Sequence, residues 1–188
     1  MGSADVLAAG RSRGASWRHT APGRPVSRPT CGTAMAKKKT RDNTQFAALP
    51  FRSSESGAPQ VMLVTSRQTR RWVIPKGWPI KGLTPPHVAA REAYEEAGLV
   101  GQIIGDRPIG FFQYEKQLPD RRLLCAVWVF LLRVDCQLDN WLEKGQRETR
   151  WFEPMEAAGL VRQSGLREII RHAILTPPNE AGAWRRTG

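Results

Sequence analysis

Three carboxylates, Glu92, Glu95 and Glu96, stand at spacings i, i+3 and i+4. On a helix they fall within an arc of about 100°, with Arg91 at its edge beside Glu95. The opposite side carries Ala90, Ala93, Tyr94 and Ala97, a smooth face suited to lying against a sheet. The spacing thus predicts a helix that buries small apolar residues and aims a carboxylate cluster outward. Gly98 is a natural C′ residue, so the three Glu occupy the last turns, where the macrodipole disfavours anions. Glu92 and Glu96 are also a like-charge i,i+4 pair. Arg91 offsets part of this through Glu95. A hard divalent cation would offset the rest, since Mg²⁺ takes oxygen ligands and completes its shell with water and phosphate. A bare E-x-x-E-E is more often a solvated acidic face; the flanking sequence reverses that reading here.

Gly77, Arg91, Glu92, Glu95, Glu96, Gly98 and Leu99 stand at the spacing G-x5-E-x7-R-E-U-x-E-E-x-G-U, with Ala93 as the internal apolar residue. The segment resembles the Nudix box. Its one departure is the first Glu, whose place Leu83 takes, which removes an orienting partner for Arg91 and one carboxylate near a metal. The run Arg71-Trp-Val-Ile-Pro-Lys-Gly, with Asn140-Trp-Leu and Arg150-Trp-Phe, most resembles the diphosphoinositol polyphosphate phosphohydrolase and dinucleoside polyphosphate hydrolase branch. The resemblance covers roughly residues 46–175. It implies an α/β fold, a Nudix-type α/β/α sandwich with a mixed central sheet and a catalytic helix at about 85–97. It also implies metal-dependent cleavage of a phosphoanhydride in a polyphosphorylated small molecule, with Mg²⁺, or Mn²⁺, as cofactor. By that resemblance Glu92 and Glu96 are metal ligands and Glu95 is the base, although base and ligand roles exchange among family members. Glu95 is therefore also a candidate ligand, and Arg91 its orienting partner. The backbone carbonyl of Lys76 is a further candidate ligand.

Pyrophosphate hydrolysis asks for charge neutralisation on the phosphoryl oxygens, an activated water in line, and positioning. Gly77 permits close backbone approach to a ligand, or equally a turn with positive φ. Lys76 is suited to contact a phosphate as a point charge. Arg67, Arg71, Arg121 and Arg122 lie in or beside loops and are candidate substrate-binding cations. Such a set would favour a multiply phosphorylated substrate. Trp72 and Trp128, in strands, read as core. Trp78, in a loop, is the aromatic free to cover a substrate ring.

The chain has 188 residues and a net charge of +12, and one domain with a sizeable core is expected. Much of the excess lies in residues 1–41, which hold nine Lys and Arg against Asp5 alone. That segment, rich in Gly, Ser, Ala, Pro and Thr, reads as a disordered basic extension. A polyanion tether, an organellar transit peptide, or chain upstream of a start at Met35 would each explain it. The longest apolar stretch, Leu123–Leu132, is too short to span a bilayer. Cys31, Cys125 and Cys136 share no metal-like spacing and fit reduced thiols in a cytoplasmic protein. The expected partner is the small-molecule substrate, with RNA a less favoured one and no membrane. Monomer and homodimer both stay open. Cleavage of an RNA 5′ cap or triphosphate, and polyanion binding without turnover, are the competing functions.

Strands are expected at 46–52, 60–66, 71–74, 100–104, 110–114 and 122–134. Residues 76–83 read as loop, with Thr84 as N-cap and Pro85 opening the helix. Further helices are expected at 154–158 and 164–175, the latter with Leu166, Ile169, Ile170 and Ile174 on one face. The hydrolase domain is thus read as 42–178, with a frayed tail at 179–188.

Overall fold

A computed structural model describes residues 43–175. The basic extension at 1–41 and the tail at 179–188 lie outside the described residues. Among the latter, no helix is long and apolar enough to cross a membrane.

The order is β1 (Thr44–Ser53), β2 (Pro59–Thr65), β3 (Trp72–Val73), β4 (Lys76–Gly77), α1 (Pro85–Ala97), β5 (Leu99–Ile104), β6 (Gly110–Gln117), β7 (Arg122–Gln137), β8 (Thr149–Phe152), α2 (Pro154–Leu160) and α3 (Ser164–Leu175). The sheet runs β3-β2-β1-β7-β5, with β4 on β1, β6 on β7 and β8 on β2. β1 and β7 are parallel, pairing Phe46 with Trp128 and Leu49 with Leu131. The other pairings are antiparallel. The sheet is therefore mixed.

Continuous apolar strands are what a sheet covered on both faces requires. In β2, Val61 and Leu63 point to one side with Ala47, Leu49, Val127 and Leu131, under Ala157, Leu166 and Ile170 of the two C-terminal helices. Met62 and Val64 point to the other with Ala48, Phe130 and Leu132, under Ala89, Ala93 and Ala97 of α1. This is an α/β/α sandwich.

α1 begins at Thr84, in extended conformation, with Pro85 in its first turn, and ends at Gly98, φ 67°. Thr84 gives no side-chain cap; its Oγ1 is 2.6 Å from His87 Nδ1. Ala89, Ala93 and Ala97 form the buried i,i+4 stripe, and Tyr94, about 100° round the helix from Ala93, is 48% exposed. Tyr94 is therefore not part of the buried face.

Trp128 also departs from its expected core position. Its side of β7 faces α1, but it lies at the helix's N-terminal end beside Thr84, Pro85 and Pro86. There it is 39% exposed, with its ring 5.3 Å from Phe111. Trp72 is half-buried, edge-on to Phe152 at 5.0 Å. Residues 76–77 are strand rather than loop: Lys76 faces Ala47 and Gly77 faces Phe46 on β1. Ala48 donates to the Pro75 carbonyl beside them at 3.1 Å, so the ladder is carried past the proline.

Candidate active site

The carboxylates of α1 do not all face water. Glu92 and Glu95 are half-buried, whereas Glu96 is 4% exposed. Its neutralising partner comes from the loop between β7 and β8, where Arg147 Nη2 donates to Glu96 Oε1 at 2.6 Å. Arg147 Nε donates to Glu143 Oε2 at 2.6 Å, and its Nη1 donates to the Thr65 carbonyl at 3.0 Å. Arg91 Nε donates to Glu95 Oε1 at 2.7 Å, the pairing its i,i+4 spacing allows. The Glu92 carboxylate lies directly against Gly77, in space a Cβ there would fill.

The end of β7 and the segment that follows it also satisfy carbonyls at the C-terminal end of α1. Glu143 N–H donates to Glu95 O at 3.1 Å, Leu138 N–H to Gly98 O at 2.8 Å, and Gln137 Nε2 to Ala97 O at 3.0 Å. The Trp141 ring closes over Gly98, which a side chain there would prevent. Loop and helix thus form one unit.

Burial raises the pKa of Glu96 to about 7, with Lys76 and Arg147 pulling it back down. Glu92 is raised too, first by burial and then by Glu95 and Glu143. Lys76 is half-buried beside them, and its pKa is shifted down by desolvation, against the pull of Glu96. The sign of the stability effect follows from linkage. In the unfolded chain a Glu releases its proton near 4.5; in the folded chain Glu96 holds it to about 7. Between those values the folded state binds more protons, so stability falls as pH rises. In chelator-treated protein, the stability difference between wild type and Glu96→Gln should drift against wild type from pH 5 to pH 7. The drift has a ceiling of about 3 kcal/mol. Denaturant melts at the two pH values measure it, and an unchanged difference would remove the burial argument for Glu96.

Beside this cluster opens a cavity of about 450 Å³, with Arg67, Arg71, Lys76, Lys116, Arg147 and Arg162 in its wall and Glu115 as its one acid. Trp72, Phe112 and Tyr114 supply its apolar lining. Arg67 Nη1 donates to Glu143 Oε1 at 3.3 Å, tying the cavity rim to the carboxylate cluster. Of the sequence-derived substrate candidates, Arg67, Arg71 and Lys76 line the cavity, and Gly77 underlies Glu92. Arg121 and Arg122 do not line it. They sit at the β6–β7 turn, paired with Asp120 at 3.1 Å and Glu115 at 3.5 Å. Sequence reasoning missed Glu143, Arg147, Lys116 and Arg162, which follow no spacing rule tying them to the helix.

Among the described residues, no three His, Cys, Asp or Glu side chains are gathered tightly enough to enclose a cation as they stand. The chemistry of the donors nonetheless fits one. Glu96 Oε2 is buried without a hydrogen-bond partner. Glu92 lies one helical turn away, and carboxylate oxygens are hard donors suited to Mg²⁺ or Mn²⁺.

The NUDIX domain model matches residues 44–173, and the chain belongs to that family. It is 34% identical over 120 residues to Nudix hydrolase 12, mitochondrial, of Arabidopsis thaliana, covering 60% of this chain and 59% of that protein. It is 33% identical over 114 residues to diphosphoinositol polyphosphate phosphohydrolase 3-alpha of Mus musculus, covering 59% and 64% respectively. The chain thus spans about three fifths of the length of these curated relatives. Among solved structures, a C. elegans Ap4A hydrolase binary complex shares the fold with a TM-score of 0.51 at 18% identity. That match covers 68% of this chain and 92% of that one.

Proposed function

We propose that this chain is a divalent-metal-dependent hydrolase that cleaves a phosphoanhydride in a densely phosphorylated small molecule. A diphosphoinositol polyphosphate or a dinucleoside polyphosphate is the class in view. The observation that carries this is a cavity with five Lys and Arg side chains and one acid in its wall besides Arg147, which is paired with Glu96 and so joins the cavity to the carboxylate-bearing helix. A wall so charged collects multiple phosphates far better than a single diphosphate. The relatives named for such substrates support the same reading.

Glu92 and Glu96 would hold the metal, with the Lys76 carbonyl as a further oxygen and Glu95 adjacent. Bound there, Mg²⁺ or Mn²⁺ supplies charge neutralisation on the phosphoryl oxygens. Arg67, Arg71, Lys116 and Arg162 hold the phosphates that do not react. Glu95, steadied by Arg91, takes the proton from the attacking water. The water oxygen bonds to phosphorus, the bridging P–O bond breaks, and the departing phosphate carries the electron pair.

A panel of diphosphoinositol polyphosphates, diadenosine polyphosphates, nucleotide sugars and triphosphorylated RNA tests this with the purified full chain. The densely phosphorylated molecules should be hydrolysed with the highest kcat/KM. The double variant Arg71→Ala/Arg162→Ala should raise their KM about tenfold with kcat little changed. Preference for RNA, with steep salt dependence and loss on deleting residues 1–41, would favour cap or triphosphate removal instead. Binding with no phosphate release at any Mg²⁺ or Mn²⁺ concentration would leave a polyanion-binding module.

A further inference from the structure

Glu96 and Arg147 are 51 residues apart in the chain and meet in the interior. Each of the three nitrogens of the Arg147 guanidinium donates to an acceptor from a different element: Nη2 to Glu96 on α1, Nε to Glu143 in the β7–β8 loop and Nη1 to the Thr65 carbonyl at the end of β2. A rigid planar fork satisfies three such acceptors in one orientation only. Although it borders the cavity, it cannot turn its fork onto a substrate phosphate without giving up these partners.

The effect falls on Glu96. One of its oxygens is fixed by Arg147, and the other is buried with no partner at all. At Glu95, Arg91 likewise takes one oxygen. Fastening the loop does not require this arrangement. The loop is already tied to α1 through Glu143 N–H and Leu138 N–H. A buried ion pair is moreover a weak source of stability next to an apolar substitute.

We infer that Arg147 is a positioning residue of the candidate cation site: clamped by Glu143 and Thr65, it holds one oxygen of Glu96 so that the other is offered to a divalent ion. This rests on the metal-dependent reading above, but not on the identity of the substrate. Glu143 is the supporting carboxylate, and its second oxygen carries the link outward to Arg67.

The test is calorimetric titration of the full chain with Mn²⁺ alone, for wild type, Arg147→Lys, Glu143→Gln and Leu166→Ala. Lysine keeps the charge but loses the fork. Arg147→Lys should weaken Mn²⁺ binding about 10- to 100-fold, the loss expected when the partner of a metal ligand is removed. With a hydrolysed substrate, kcat should fall in step while KM stays within about threefold. Leu166→Ala, a core variant remote from the site, should lower the melting temperature and leave Mn²⁺ affinity unchanged. Arg147→Lys that binds Mn²⁺ as wild type does, or wild type that takes up no Mn²⁺, overturns the inference. Should Arg147→Lys fail to fold, Glu143→Gln decides: weaker Mn²⁺ binding supports the positioning role and unchanged binding refutes it. Weakened Mn²⁺ binding in a chain that hydrolyses nothing on the panel keeps the positioning role and removes the hydrolase.

Discussion

Glu92→Gln is expected to leave a protein as stable as wild type, or more so, with almost no metal-dependent turnover. Burial, Glu95 and Glu143 all raise the pKa of Glu92, so its negative charge is a burden on the fold. Glutamine keeps the shape and removes that charge. The cost appears in function: divalent-metal affinity should fall beyond the roughly 100-fold that loss of a mere supporting partner costs. Glu95→Gln should behave differently. Its partner is the half-exposed Arg91, and its proposed task is proton transfer. It should keep metal affinity and lose about 10²- to 10⁴-fold in kcat. Mn²⁺ titration beside steady-state kinetics separates the two residues. If Glu92→Gln retains metal and loses only kcat, the ligand and base assignments are exchanged. Full turnover in Glu95→Gln would remove that residue from proton transfer altogether.

The local pattern was legible wherever period and punctuation agreed. The helix from Pro85 to Ala97, closed by Gly98 with positive φ, follows from Pro at the start, Gly at the end and an alanine stripe between. The doubly covered strands follow from unbroken apolar runs. What the sequence hid is how far each layer extends over the next. Trp128 has the strand context of a core residue and stays half-open because α1 begins beside it rather than over it. Tyr94 is exposed because the stripe that meets the sheet runs through Ala89, Ala93 and Ala97, about 100° away round the helix. Glu96 lies on the polar arc by period, yet is buried by an arginine from a distant loop. That loop arrives because β8 pairs with β2, bringing Glu148 N–H to Thr65 Oγ1 at 2.9 Å. No spacing within the helix encodes this. Lys76 and Gly77 form a ladder with β1 too short for any periodicity to register.

Gly77→Ala is expected to separate activity from stability more sharply than any change of charge. The atoms a methyl group at 77 would strike are the carboxyl carbon and both oxygens of Glu92, and no backbone is among the closest. A side-chain end can turn aside at little cost to the fold. Gly77 has no positive φ either, so alanine meets no backbone penalty there. The melting temperature should therefore change little. The displaced Glu92 carboxylate, however, cannot occupy its place beside Glu96, and a misplacement of about 1 Å at a reacting centre costs roughly 10²-fold in rate. The expected result is a cooperative, wild-type-like melt with kcat lowered about 100-fold and weakened Mn²⁺ binding. Gly82→Ala is the matched control. That glycine has open space around it but φ of +86°, so alanine should cost stability and spare the Glu92 position. Were Gly77→Ala to retain wild-type kcat and metal affinity, the glycine would matter only to the ladder with β1. The close packing of Glu92 against the chain would then have no part in the chemistry.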